Sequence, residues 1–269
     1  MANPLVLRRP VTRMTERGFE TVEDAVAVEG ALEIRVGGQT LSVTLRTPGH
    51  DPELGLGFLA SEGLIARRED VADLSVVAAD CADESDRLEV TLAPSVVVDW
   101  SRFERHFAAT AACGLCGRAH LDSLRAGLRP MPAEARVDAQ ALADLPARLR
   151  ERQEAFVATG GLHAAAYCDA DLALQALRED VGRHNAVDKI AGGLLERGRY
   201  PANEGVLWVS GRAGAEIVLK AARARIPVLA AVGAPSSLAI ELAESAAMTL
   251  VGFLREGRMN VYAGRERLR

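Results

Sequence analysis

Hydrophobic and polar positions alternate along much of the first hundred residues, and this pattern predicts strands. Residues 31–36 and 39–45 alternate on either side of two consecutive glycines, which favour a tight hairpin turn because glycine readily adopts positive φ angles. Residues 74–78 and 88–92 predict a second strand pair joined by an acidic turn. We therefore expect an N-terminal part that is rich in antiparallel β-structure.

From about residue 157 the pattern changes to short apolar runs that alternate with helical segments. Residues 162–168 and 172–177 predict a hairpin. Later strands are predicted at residues 205–209, 226–232 and 249–254, and helices at residues 183–197, 213–225 and about 237–248. Apolar strands of this length, separated by helices, indicate parallel pairing through right-handed crossovers. The C-terminal part is therefore expected to be an α/β core.

Three further helices are predicted before the α/β pattern begins, one near residue 51 and two between residues 118 and 156. Asp51 can cap a short helix, and Pro52 fits the first helical position because its missing N–H group is not needed there. Two further helices are predicted over residues 118–127 and 138–156, and Asp138 can cap the second of them.

The chain is expected to fold as two units. With 269 residues it can bury a substantial core, and a proline-rich break at residues 130–132 separates the β-rich pattern from the α/β pattern. We assign residues 1–132 to the β-rich N-terminal part and residues 133–269 to the α/β core.

Composition and charge exclude several classes of function. The net charge of −5 and the aromatic content of 4% argue against nucleic-acid binding, which uses basic surfaces and stacking side chains. No apolar run approaches the roughly 20 residues that span a bilayer. Four cysteines are too few for a disulfide-stapled secreted scaffold, so a soluble cytoplasmic protein is expected. Only Lys189 and Lys220 among the 32 basic residues are lysines, which we attribute to a mutational bias of the genome.

The motif Cys113-Gly-Leu-Cys116 is the sharpest chemical signal in the sequence. Its two sulfur atoms are within reach of each other and could serve sulfur transfer, redox cycling or half of a metal site. A position at the start of a helix, beside Arg118, favours the reactive thiolate form. A complete zinc site is not apparent, because there is no second CxxC and only His120 is nearby. A pair of structural cysteines is the remaining alternative.

Polar groups are concentrated at the predicted start of the helix at residue 183. His184 and Asp188 are four residues apart and share a helix face, which suits an anionic or polar ligand, although capping and surface ion pairs explain them equally well. Ser210-Gly211-Arg212 follows a buried strand, where backbone N–H groups and Arg212 could reach a phosphate. Its spacing is neither that of a P-loop nor GxGxxG, so an ordinary turn is an alternative.

Five sequence blocks carry a resemblance to a known family. They are Cys113–Cys116, residues 159–163, residues 179–189, residues 210–212, and residues 226–229 with Ala234-Pro235. In order and spacing they resemble the formate dehydrogenase accessory sulfurtransferase family, which acts in molybdenum cofactor maturation. The resemblance extends from about residue 25 to the C-terminal tail. Gly214 and Gly233 depart from it, because a serine is common at both positions in that family.

The resemblance implies a cytidine-deaminase-like α/β core and a role in sulfur relay. A cysteine desulfurase would pass persulfide sulfur to Cys113, with Cys116 assisting, and this sulfurtransferase would deliver it to molybdenum bis(molybdopterin guanine dinucleotide) for formate dehydrogenase. A homodimer is also implied. Zinc-dependent deamination is not expected: His163 is followed by two alanines where deaminases have H-x-E, and Ala112 replaces the proline of P-C-x-x-C.

The cofactor-binding segment of that family matches a turn near the C-terminus. The residues implied are Gly252, Phe253, Leu254, Arg255, Glu256 and Gly257, and we add Arg258 because a guanidinium can bind phosphate. Secondary candidates for the same pocket are His184, Asp188 and Arg212. GDP is expected to bind there as a fragment of the cofactor. The alternatives are a non-catalytic cofactor-binding chaperone for apo-formate dehydrogenase and a zinc-binding CxxC protein.

Overall fold

The computed structural model describes residues 4–79, 85–98, 100, 127–132, 134–255 and 257–269. The strands are β1 (Val6–Thr15), β2 (Gly18–Ala27), β3 (Gly30–Val36), β4 (Gln39–Arg46), β5 (Val71–Val77), β6 (Asp86–Leu92), β7 (His163–Cys168), β8 (Leu174–Asp180), β9 (Val206–Val209), β10 (Val228–Ala231), β11 (Thr249–Arg255) and β12 (Arg258–Ala263). The helices are α1 (Asp51–Glu62), α2 (Ala139–Arg150), α3 (Glu154–Thr159), α4 (Arg183–Glu196), α5 (Ala215–Arg223) and α6 (Ser237–Ser245).

Six strands form the central sheet in the order β12-β11-β10-β9-β7-β8. β9, β10 and β11 are parallel, whereas β12, β7 and β8 run antiparallel to their neighbours. α4, α5 and α6 pack on one face and α2 packs on the other, so the parallel strands are apolar on both sides. The mixed α/β fold and the parallel pairing predicted from the short apolar runs are confirmed.

A second sheet, with the order β4-β3-β6-β5, lies in the N-terminal part. Its buried side chains, among them Leu32, Ile34 and Leu88, pack against α1. Both predicted strand pairs are confirmed, and β3 and β6 pair in parallel between them. The predicted aspartate cap of α1 is wrong: another residue precedes the helix, and the Asp51 carboxylate instead accepts two hydrogen bonds from Arg46.

The helix predicted over residues 138–156 is interrupted, which corrects that prediction. Asp138 caps α2 as expected, because its carboxylate accepts a hydrogen bond from a backbone N–H in the first turn. The chain leaves the helical conformation at Gln153. The carboxylate of Glu179, which lies on β8, accepts hydrogen bonds from two backbone N–H groups in the first turn of α3. This cap satisfies the orphan donors of a new helix and allows α3 to start.

β1 and β2 form a separate antiparallel hairpin, in a region where the pattern predicted strands without assigning their positions. The helix predicted over residues 118–127 lies, apart from its last residue, outside the residues that the structure describes. The division of the chain after residue 132 stays a prediction.

Two glycines allow α1 and α4 to pack with their backbones in direct contact. A Cβ atom on Gly57 would lie 1.8 Å from the carbonyl oxygen of Asp188. Conversely, a Cβ atom on Gly192 would lie 1.8 Å from the carbonyl oxygen of Glu53. The backbones of α1 and α4 are therefore in close contact.

Replacing Gly57 with alanine is expected to lower the free energy of unfolding by roughly 1–3 kcal/mol or more, because the added methyl group overlaps the backbone of α4. Chemical denaturation followed by circular dichroism measures the change. Gly214→Ala is the matched control, since Gly214 has a φ of −82° and an added Cβ would have open space around it. Equal stability of the two variants would contradict the close helix contact.

Candidate functional site

The carboxyl ends of the parallel strands lie at one edge of the central sheet, where their backbones are joined. The N–H group of Gly233 donates a hydrogen bond of 2.9 Å to the carbonyl oxygen of Gly211, and the N–H group of Phe253 donates one of 3.1 Å to that of Gly233. The structure thus brings Arg212 together with the start of the predicted cofactor segment. In open α/β sheets this edge is the usual position of ligands.

Glycine at two positions permits this close approach. A Cβ atom on Gly233 would lie 2.9 Å from the Cα atom of Arg212, and one on Gly252 would lie 2.8 Å from the Cδ atom of Pro235. Both distances are shorter than ordinary contacts of a Cβ atom. Glycine rather than serine at position 233 therefore agrees with the geometry of this edge.

In the first half of the predicted cofactor segment, residues 252–254, only the Phe253 side chain is exposed to solvent. Gly252 and Leu254 are buried, so they can contact a ligand only through their backbones. The Phe253 side chain is 41% exposed. Its φ of 51° is a left-handed conformation that is rare for a bulky residue, and such outliers are concentrated at functional sites.

The second half of the segment is the turn between β11 and β12. Arg255 and Arg258 are opposite each other across the hairpin, and both are exposed. Gly257 has a φ of 72°, which a tight turn requires, and Glu256 lies outside the described residues. Two guanidinium groups are thus available for an anionic ligand at this turn.

His163 and Arg183 join the same edge, although the sequence did not single them out as cofactor ligands. The antiparallel pairing of β7 with β9 places the His163 Nδ1 atom 3.5 Å from the position that a Cβ atom on Gly211 would take. Burial, and then the positive charge of Arg183, lower the pKa of His163, so its imidazole is neutral near pH 7. The pairing of β7 with β9 accounts for the position of His163, whereas Arg183 is the first residue of α4 and its Cδ atom lies 3.8 Å from the same Cβ position on Gly211.

His184 and Asp188 contact α5 and α1. The His184 Nδ1 atom lies 2.9 Å from Oε1 of Glu216. The Lys220 Nζ atom lies 2.8 Å from both carboxylate oxygens of Asp188, and Ser61 donates a further hydrogen bond to the same carboxylate. The predicted shared face of His184 and Asp188 is confirmed, because both line a cavity of about 210 Å³ next to α1, α5 and β4.

Both cysteines of the CxxC motif, Cys113 and Cys116, lie outside the described residues, as does Cys81. Cys168, the one cysteine that the structure describes, is fully buried at the end of β7. Burial raises the pKa of its thiol to about 12, and a thiol that stays protonated is a poor nucleophile. Cys168 therefore has the properties of a structural residue, and the role of Cys113 stays a prediction.

In the part of the chain that the structure describes, no group of three or more His, Cys, Asp or Glu side chains is arranged to hold a metal ion. No helix there combines the length and the apolar character needed to cross a membrane. The search for metal-binding groups did not include Cys113 and Cys116, which lie outside the described residues.

Comparison with known proteins gives the family. The sequence profile of the FdhD/NarQ family matches residues 27–269. The chain belongs to the FdhD/NarQ family. A protein named sulfur carrier protein FdhD from Nocardia farcinica is 52% identical over 100% of this chain and 97% of its own length. A protein of the same name from Streptomyces coelicolor is 47% identical over 97% of this chain and 95% of its own.

A solved structure has the same fold as this FdhD/NarQ protein. The crystal structure of a putative formate dehydrogenase accessory protein from Desulfotalea psychrophila has a TM-score of 0.78 and 25% sequence identity, and it covers 99% of this chain and 100% of its own. The family resemblance carried by the five sequence blocks is confirmed. β1 and nearly all of β2 precede the residues that the FdhD/NarQ profile matches.

Proposed function

We propose that this FdhD/NarQ protein is a sulfurtransferase that carries persulfide sulfur from a cysteine desulfurase to molybdenum bis(molybdopterin guanine dinucleotide) for formate dehydrogenase. The observation that carries the proposal is full-length similarity to proteins named sulfur carriers, in a chain whose Cys113-Gly-Leu-Cys116 motif supplies two neighbouring thiols. The name of the Desulfotalea psychrophila protein supports formate dehydrogenase as the enzyme served.

The sulfur moves by thiolate attack. The Cys113 thiolate attacks the terminal sulfur of the desulfurase persulfide, which forms the Cys113 persulfide and releases the desulfurase cysteine as a thiolate. Attack of the Cys116 thiolate on the Cys113 Sγ atom then releases HS⁻ and forms a disulfide, so the two cysteines supply the electrons that reduce the terminal sulfur. With one proton, the sulfide replaces an oxygen ligand of molybdenum, which leaves as water. A cellular dithiol reduces the disulfide.

The guanine dinucleotide is proposed to bind at the carboxyl edge of the central sheet. Arg212, Arg255 and Arg258 are exposed there, and each can form charge-assisted hydrogen bonds with phosphate. His184 remains a secondary candidate, whereas the Asp188 carboxylate is already engaged by Lys220. The same proposal includes a cytidine-deaminase-like core, a homodimer and a cytoplasmic location, where thiols stay reduced.

Incubation with a purified cysteine desulfurase and cysteine is expected to add one sulfur atom, about 32 Da, to the peptide that contains Cys113. Mass spectrometry without reducing agents measures the increment. The Cys168 peptide is the internal control, because its buried thiol stays protonated. Sulfur on Cys81 or Cys168 alone would contradict the proposal. One equivalent of zinc that is lost in the Cys113→Ala/Cys116→Ala variant would favour the zinc-binding alternative.

Arg255→Ala and Arg258→Ala are each expected to weaken GDP binding about tenfold or more, because a charge-assisted hydrogen bond contributes roughly 1.5–3 kcal/mol. Calorimetric titration measures the affinity, which is also expected to fall with added salt. Arg8→Ala is the matched control, since Arg8 is an exposed arginine on the separate β1–β2 hairpin. If both C-terminal variants bind GDP as the wild type does, the cofactor site is elsewhere.

A further inference from the structure

The cavity beside His184 lies along the edge of a sheet. β4 is an edge strand of the N-terminal sheet, and Ser42, Val43 and Thr44 from its middle line this cavity of about 210 Å³. The other walls come from α1, α4 and α5. Typical small-molecule pockets have roughly 300–1,000 Å³, so the size of this cavity suits one long side chain better than a cofactor.

The backbone of β4 offers hydrogen-bonding groups along the same edge. The carbonyl oxygen of Leu45 accepts a hydrogen bond of 2.8 Å from the Asn185 side chain, so Leu45 directs its backbone groups away from β3. Every second residue of an antiparallel strand points the same way, so the N–H and C=O groups of Val43 also face outward. Among the described residues these two groups have no hydrogen-bond partner.

The sequence leaves this edge unprotected. Residues 40–45 carry no charge and no proline, although charges and prolines normally protect an edge strand. Asn185 already occupies the carbonyl oxygen of Leu45, which leaves residues 40–43 as the part of the edge that another strand can reach. The available edge is therefore short, and a side-chain contact is needed for specific binding.

The charge of the cavity favours a basic side chain. Of its three carboxylates, Asp188 is paired with Lys220 and Glu216 contacts His184. The third is Glu62, which is half-buried and forms no ion pair with any other described residue. A half-buried carboxylate has lost part of its hydration, so a cation brought by a partner would stabilise it.

We propose that an extended segment of another protein pairs with β4 and directs one lysine or arginine side chain into this cavity. Successive side chains of an added strand point to opposite faces of the sheet. Those on the face of Ser42 and Thr44 reach the cavity. Their neighbours lie on the other face, beside Val43 and Leu45, which are 58% and 59% exposed. The partner segment therefore has a basic residue between apolar or β-branched residues.

Selection from a phage-displayed library of random heptapeptides against the full chain tests this site. The selected peptides are expected to share one lysine or arginine between apolar or β-branched residues. Fluorescence anisotropy of a labelled synthetic copy then measures its affinity for each variant. Glu62→Gln is expected to weaken binding about tenfold, because the cation loses its counter-charge. Glu244→Gln is the matched control, since it removes an exposed carboxylate that does not line the cavity.

Two further measurements test the strand pairing. Val43→Pro removes an N–H group that faces away from β3, so it is expected to leave the circular dichroism spectrum unchanged and to weaken peptide binding about tenfold. N-methylation at alternate residues gives two versions of the selected peptide. One version is expected to lose binding and the other to keep it, because only every second N–H group of a strand faces its neighbour.

Each result decides a specific part of the proposal. A selection that yields no binding peptide, or only peptides without a basic residue, overturns it. Equal binding to the wild type and to Glu62→Gln overturns the cavity as the position of the basic side chain, and equal effects of the two N-methylated versions overturn the strand pairing. Selected peptides that match residues 40–45 would assign the edge to a second copy of this chain instead. The site goes beyond the proposed function and contains neither cysteine of the CxxC motif, so the persulfide experiment decides sulfur transfer separately.

Discussion

Replacing Cys113 with alanine is expected to reduce the support of formate dehydrogenase activity at least about 100-fold, because the proposed relay then has no attachment site for the persulfide. Cys168→Ala is the matched control and is expected to keep this support, since the Cys168 thiol is buried and burial raises its pKa to about 12. The measurement is formate dehydrogenase activity in cells that lack the native protein and produce each variant at an equal level.

This comparison separates a sulfurtransferase from a non-catalytic chaperone. A chaperone needs the cofactor site and a surface for formate dehydrogenase, and removal of the Cys113 sulfur changes neither of them. Full activity with Cys113→Ala would therefore favour the chaperone. Cys116→Ala adds a finer test: it is expected to accept sulfur on Cys113 and to accumulate the persulfide, because release of sulfide needs the second thiol.

Replacing Lys220 with methionine is expected to lower the free energy of unfolding by about 3–5 kcal/mol, because the Asp188 carboxylate would stay buried without its cation. Lys220→Arg keeps the charge and is expected to lower the free energy of unfolding by less than Lys220→Met does. The difference between the two variants separates the effect of charge from that of packing. Chemical denaturation followed by tryptophan fluorescence measures both variants.

Two further variants control the test of the Lys220–Asp188 ion pair. Arg223→Met changes an exposed cation at the end of the same helix and is expected to alter stability by no more than about 0.5 kcal/mol. Lys220→Met combined with Asp188→Leu is expected to recover part of the loss, because no unpaired charge is left. If Lys220→Met costs no more than Arg223→Met, the buried pair does not stabilise this fold.

Local patterns in the sequence predicted most elements of the fold. The strands and helices from β9 to β11 are short apolar or amphipathic segments, and their periodicity is set by residues that are close in sequence. The interruption between α2 and α3 escaped prediction because the cap of α3 comes from Glu179 on β8, 24 residues from Ala155. Such a cap depends on tertiary packing, which a local pattern does not contain.

The candidate site was predictable only in part, for the same reason. Arg212 was a candidate because it follows a buried strand, whereas the segment from Gly252 to Gly257 was implied by the family resemblance. The structure brings Arg212 together with Gly252 and Phe253 at one sheet edge. His163 was missed because its position beside Gly211 depends on the pairing of β7 with β9, and Arg183 was missed because it depends on the packing of the start of α4 against the same edge. That pairing joins strands that are separated along the chain by β8 and α4.

The sequence by itself determined the order of strands and helices and which reactive groups are present. Among these groups are only two lysines. The mutational bias to which we attribute the scarcity of lysine does not account for the positions of the two lysines. The tertiary structure places both in buried ion pairs, Lys189 at 2.7 Å from Asp180 and Lys220 at 2.8 Å from Asp188. A charge can be buried at acceptable cost only where an opposite charge from another element meets it. Packing of the elements, rather than any local pattern, decides where this happens.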